Sequence, residues 1–151
     1  MCRETWRDDD FGSCPVRSVA TQTLLRSIFP LQYAAVVNAR LAVFEALREH
    51  ETLDKTRDAV ALAASELCSN AVQAGKGEVF EVELSISSES TAVELRVLNE
   101  ATLDDIPERS TWPPADRLAV RGRGLSIVES IASSIEFSTS GGRLAAIATF
   151  T

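Results

Sequence analysis

The chain has 151 residues, 45% of them hydrophobic and 25% charged, enough apolar material for one globular domain with a sizeable core. Its net charge of −7, with 15 Lys and Arg scattered rather than clustered, argues against a nucleic-acid backbone as partner, because phosphate neutralisation needs a basic patch. Three cysteines without metal-ligand spacing, no apolar run of about 18 residues and no basic, apolar leader speak against a Cys-based metal site, a membrane span or secretion, and set the expectation of a reduced, cytoplasmic protein.

Residues 1–15 are polar, with Asp8-Asp9-Asp10 before Gly12, and read as a lead-in, leaving 16–151 as the folded unit. Val19 to Phe29 is rich in Thr, Val, Leu and Ile and is stopped by Pro30, which predicts a strand. Leu31 to His50 predicts a helix with a broad core face of Val37, Leu41 and Phe44 beside Val36, Val43 and Leu47. His50, in its last turn and without metal-binding company, reads as a surface residue that complements the helix dipole.

A second helix is predicted from about Asp54, a good N-cap, to Ala74, with Gly75 and Gly77 as stop signals. Its apolar stripe is Val60, Ala63, Ala64, Leu67, Ala71 and Ala74, and Cys68 within it reads as an ordinary buried thiol. At ~100° per residue, Glu66 and Asn70 point the same way and sit at the rim of that stripe. Two polar side chains held there, partly sheltered from water, can build a site.

Phe80, Val82, Leu84 and Ile86 alternate with Glu81, Glu83, Ser85 and Ser87 as a half-exposed strand. After a turn at Glu89-Ser90, Val93, Leu95 and Val97 alternate with Glu94 and Arg96 as its hairpin partner, and Asn99 shares the inner face with Val97. A polar amide thus ends a buried face and needs a partner. Residues 101–120 contain Pro107, Pro113 and Pro114 and no sustained period, as expected of a lid or binding loop. Gly124 opens a third helix with Leu125, Val128, Ile131 and Ala132 facing inward, and two closing strands are joined through Ser140-Gly141-Gly142. Strands set beside helices without regular βαβ alternation indicate an α+β two-layer sandwich.

The polar residues suggest a chemistry. Asn70 offers a carbonyl oxygen to a hard cation such as Mg²⁺, and Glu66, one turn away, is placed to orient or deprotonate a hydroxyl attacking a terminal phosphate. Gly122 and Gly124 leave room for phosphate oxygens to approach backbone N–H groups at a helix start, and Arg121 and Arg123 are placed to hold charge on the transferring group.

On these residues the chain resembles the anti-sigma-factor serine kinase branch of the GHKL, or Bergerat-fold, ATPases. Ala61-Leu62-Ala63-Ala64-Ser65-Glu66-Leu67-Cys68-Ser69-Asn70-Ala71-Val72 is similar to the family's N box, and Gly122-Arg123-Gly124-Leu125-Ser126-Ile127-Val128 to its phosphate-binding glycine box. The resemblance covers about the last 130 residues. It implies a helix-covered, mixed but mostly antiparallel sheet, ATP and Mg²⁺ as cofactors, Asn70 as metal ligand and Glu66 as general base. It also implies residues 101–121 as the ATP lid and a nucleotide cradle that includes Asn99, Ala101, Leu125 and Ser126. The implied partners are a sigma factor and a STAS-type anti-sigma-factor antagonist phosphorylated on Ser or Thr, and a homodimer is compatible with it.

The departures lie at the base end. Where the family has Asp-x-Gly after the third strand, this chain has Asn99-Glu100-Ala101: the amide can accept the adenine amino group's hydrogen bond but carries no charge and adds a donor, and Ala101 narrows the floor. Arg143 stands where an adenine-side threonine is usual, and Gln73-Ala74-Gly75 replaces the histidine beyond the N-box asparagine. Two expectations follow, an active ATP-dependent kinase and a homologue deficient in catalysis or nucleotide binding that acts as a protein-binding switch.

Overall fold

A computed structural model describes residues 20–50, 54–112 and 124–151. The lead-in at 1–15, the N-cap position before Asp54 and the Arg121 to Arg123 part of the glycine box lie outside these residues. The elements are β1 (Thr21–Pro30), α1 (Tyr33–Arg48), α2 (Asp54–Ala74), β2 (Val79–Ser87), β3 (Val93–Glu100), α3 (Gly124–Ile131), β4 (Ser134–Ser140) and β5 (Arg143–Phe150). The fold is α+β, and the five strands form one sheet in the order β1-β2-β3-β5-β4. The sheet, expected to be mostly antiparallel with some mixing, is antiparallel at all four pairings among the described residues. The last two strands turn back on each other through Gly141 and Gly142, both with positive φ, as a two-residue hairpin turn requires. That turn places β5 next to β3 and sends β4 to the edge.

Period-two alternation puts Phe80, Val82 and Leu84 of β2, Val93, Leu95 and Val97 of β3, and Ala148 and Phe150 of β5 on one face, all buried. The helices cover that face with Val36, Ala39, Val43 and Leu47 of α1, Val60, Ala64, Leu67 and Cys68 of α2, and Leu125 and Val128 of α3. The many alanines on α2 let it lie close to α1 and the sheet, so the site-bearing helix is rigidly held. Burial pushes the Cys68 thiol up to about 12, so it stays a packing residue, not a nucleophile.

The α1 face differs from the one expected. Val36, Val43 and Leu47 are buried and Phe44 is half-buried under Arg57 of α2, but Val37 is 60% and Leu41 54% exposed, because the Ala35/Val36/Ala39/Val43/Leu47 stripe is the one that faces the core. Both stripes obey helical spacing, and only the small Ala35 and Ala39 allow the close approach.

Glu81 also departs from simple alternation. It lies on the outer sheet face yet is only 8% exposed, held by Arg143 of β5, which reaches across β3 (Nη2 to Oε1, 2.9 Å), and by Arg26 of the adjacent β1 (Nε to Oε2, 3.1 Å). These bonds, Arg143 first, hold its carboxyl below the ordinary value of 4.5 against the opposing effect of burial. Because the folded value is lowered, the stabilisation is complete above the unfolded value and is lost as pH falls through the folded one. Glu81→Gln is therefore expected to be less stable than the wild-type chain at pH 8, where the contribution is complete, and to converge with it as pH falls below about 4.5, so that its acid limb is flatter, read by urea unfolding across pH. An unchanged acid limb would refute this assignment.

Candidate functional site

The end of α2, the end of β3, the start of α3 and the first part of the lid surround a cavity of about 320 Å³. Asn70, Ala71 and Gln73 come from α2, Val97 and Asn99 from β3, Gly124 and Leu125 from α3, and Asp105 to Pro107 from the lid, with Phe137, Leu144 and Ala146 closing the sheet side. Asn70 sits at the rim, as its place beside the apolar stripe requires. α2 ends where expected: Gly75 and Gly77 both take positive φ, which a side chain would strain.

The two motifs of the sequence meet at Gly124. A Cβ placed there would lie 2.8 Å from Glu66 Oε1 and 3.6 Å from Asn70 Oδ1. The first turn of α3 therefore rests directly on the acid and the amide of α2, and glycine is what permits it. The conformation of Gly124 is ordinary, so its reason is proximity alone. Leu125 lines the cavity, whereas Ser126 is buried outside the cavity lining. Arg121, Gly122 and Arg123, expected to hold phosphate, fall outside the described residues.

At the other end, Asn99 is only 6% exposed and Ala101 4%. Asn99 pairs across the sheet with Phe80 and Leu144, so its inner-face neighbours are apolar. Its Nδ2 donates to Glu100 O at 3.4 Å, and among the described residues its Oδ1 accepts no hydrogen bond. Arg143, expected beside this pocket, points instead to the outer face and Glu81, because β5 presents Leu144 inward.

Residues 101–112, the described part of the lid, are more ordered than their sequence suggests. Among these residues are two 3-10 helices, Leu103–Asp105 and Arg109–Thr111. Asp105 caps the first by accepting from Thr102 N at 2.8 Å and also takes both bonds from Lys76 Nζ, at 3.0 and 3.2 Å. Those contacts, the Thr102 backbone bond first, hold its carboxyl below the ordinary range. Farther on, Arg109 pairs with Glu129 of α3 at 2.6 Å and lies over the Trp112 ring, whose Nε1 donates to Pro107 O. The described part of the lid, residues 101–112, is thus tied to the loop after α2 through Asp105 and to α3 through Arg109. Neither tie was legible, since Lys76 and Glu129 carry no motif; the alternation of acidic residues and prolines in the lid was the only hint.

A helix-covered antiparallel sheet with a lid between β3 and α3 and an acid and amide one turn apart on α2 is a recognisable arrangement. Residues 29–149, most of the chain, match the model of the histidine kinase-like ATPase domain. The chain belongs to that family. Among solved structures, this ATPase-like domain is similar to a chain of the SiaB-SiaC complex from Pseudomonas aeruginosa, at 16% identity and a TM-score of 0.58, over 85% of this chain and 89% of that one. At that identity the likeness is one of fold. No curated protein matches the sequence. No helix among the described residues is long and apolar enough to cross a membrane.

Proposed function

We propose that this ATPase-like domain binds Mg²⁺-ATP in the cavity and acts as an anti-sigma-factor-type regulator that phosphorylates Ser or Thr of a STAS-type antagonist, binding the sigma factor in alternation. The contact of Gly124 with Glu66 and Asn70 carries the reading: Asn70 and Gly124 line the cavity, and the Glu66 carboxylate, outside its lining, sits against the same Gly124 at the start of α3. The residues fit the nucleotide. Asn70 supplies one neutral oxygen, which suits a cation that keeps most of its waters and is otherwise held by phosphate. Bound Mg²⁺-ATP supplies a phosphoryl group whose charge is already partly neutralised. Glu66 accepts the proton of an incoming hydroxyl, and the α3 N-terminus offers backbone N–H groups to anionic oxygens. Asp105, paired with Lys76, tethers the start of the lid, where Ile106 and Pro107 line the cavity.

The likeness to a chain from a two-protein complex supports a protein partner for this chain. A second reading, a binding switch without catalysis, is favoured by one observation: Asn99 and Ala101 replace the charged reader and open floor expected at the base end. Incubation with labelled Mg²⁺-ATP and STAS-type antagonists that carry a phosphorylatable serine decides between them. Label on the antagonist supports the kinase; tight nucleotide binding with no transfer to any of them supports the switch.

Gly124→Ala sharpens the test. The added methyl meets the far end of a flexible side chain, so Glu66 can move aside and the fold need not yield. Unfolding stability is expected to stay within about 1 kcal/mol, while transfer falls by at least about tenfold through displacement of the carboxylate. Loss of stability with transfer intact would contradict the placement of Glu66.

A further inference from the structure

We propose that the cavity does not discriminate adenine from guanine nucleotides, because Asn99 reads the base through an amide that turns to suit either. This inference rests on the nucleotide reading above. Asn99 is the polar side chain at the inner end of β3, nine-tenths buried, with its Oδ1 unpartnered among the described residues and apolar Val97, Leu144 and Ala146 around it. As oriented, Oδ1 accepts from a 6-amino group. Half a turn about the terminal torsion exchanges it for Nδ2, which donates to a 6-oxo group. What fixes the first orientation is the single Nδ2 to Glu100 O bond at 3.4 Å, at the long end of the hydrogen-bond range.

The turn gives up that long bond and points Oδ1 towards Glu100 O at the same long distance, which biases the choice towards the 6-amino base by about tenfold. A carboxylate at this place would be acceptor-only and would face the guanine O6 with a desolvated charge, rejecting it. The change from acid to amide therefore removes the device that selects adenine and leaves the phosphate end untouched.

The test is calorimetric titration of the full chain with the Mg²⁺ complexes of non-hydrolysable ATP, GTP and CTP analogues, with Asn99→Asp alongside. Expected are ATP and GTP affinities within about tenfold of each other, with CTP much weaker. In Asn99→Asp the ATP affinity is expected to hold or rise while GTP weakens by about 100-fold or more. Circular dichroism checks that the variant is folded, and Asn99→Ser, which is small and uncharged, keeps the comparison available if it is not. Rejection of GTP by about 100-fold in the wild-type chain, an ATP-to-GTP ratio unmoved by Asn99→Asp, or equal binding of CTP would each overturn the proposal. Binding of no nucleotide at all would instead overturn the nucleotide reading itself, and this inference with it.

Discussion

Glu66→Gln is expected to lower phosphoryl transfer to a protein acceptor by about 10²–10⁴-fold while leaving nucleotide affinity within about threefold. Gln keeps the length and shape of Glu, so the contact with Gly124 and the seating of α3 on α2 persist. What disappears is the ability to accept a proton from the attacking hydroxyl. A base acts on the transition state and contributes little to ground-state binding, so the loss belongs in turnover. Single-turnover transfer with saturating ATP, read beside a binding isotherm, separates the two. A parallel fall in affinity would make Glu66 a binding residue and remove its assignment as base.

Asn70→Ala is expected to do the reverse, weakening Mg²⁺-nucleotide binding by at least about tenfold. Asn70 lines the cavity with Oδ1 close to the start of α3, and a methyl offers nothing to a cation. The substitution removes no hydrogen bond to the described residues and puts a better helix former in the interior of α2, so folding stability is expected to hold. Affinity measured at several Mg²⁺ concentrations tests the role: the wild-type chain gains affinity with Mg²⁺ and the variant does not. Equal Mg²⁺ dependence in both would place the cation elsewhere. Together the two variants divide chemistry from binding across a single turn of helix.

Much of this arrangement could be read from residue order because its parts are local. The rim position of Glu66 and Asn70 follows from helical spacing, the burial of Asn99 from strand alternation, and the end of α2 from two glycines whose positive φ the chain then adopts. What escaped is non-local. Val37 and Leu41 have the same spacing and hydrophobicity as the buried stripe, and only the packing of α1 on the sheet through Ala35 and Ala39 decides which face is covered. Glu81 looked like a solvated outer-face residue until Arg26 and Arg143, 55 and 62 positions away, closed over it. The same pairing turned Arg143 away from the cavity where a motif comparison had set it. In the lid, two 3-10 helices arise from the Thr102/Asp105 capping box and from the Arg109 and Trp112 contacts, which have no periodicity to betray them.

Glu66, Asn70 and Gly124 are proposed here as the phosphate end of a working nucleotide site. Calorimetric titration of the purified chain with Mg²⁺-ATP, repeated with Asn70→Ala, decides that assignment. Saturable binding that is lost or weakened at least about tenfold in the variant is the expected result. No binding by the folded wild-type chain, or binding that Asn70→Ala leaves unchanged, would contradict it.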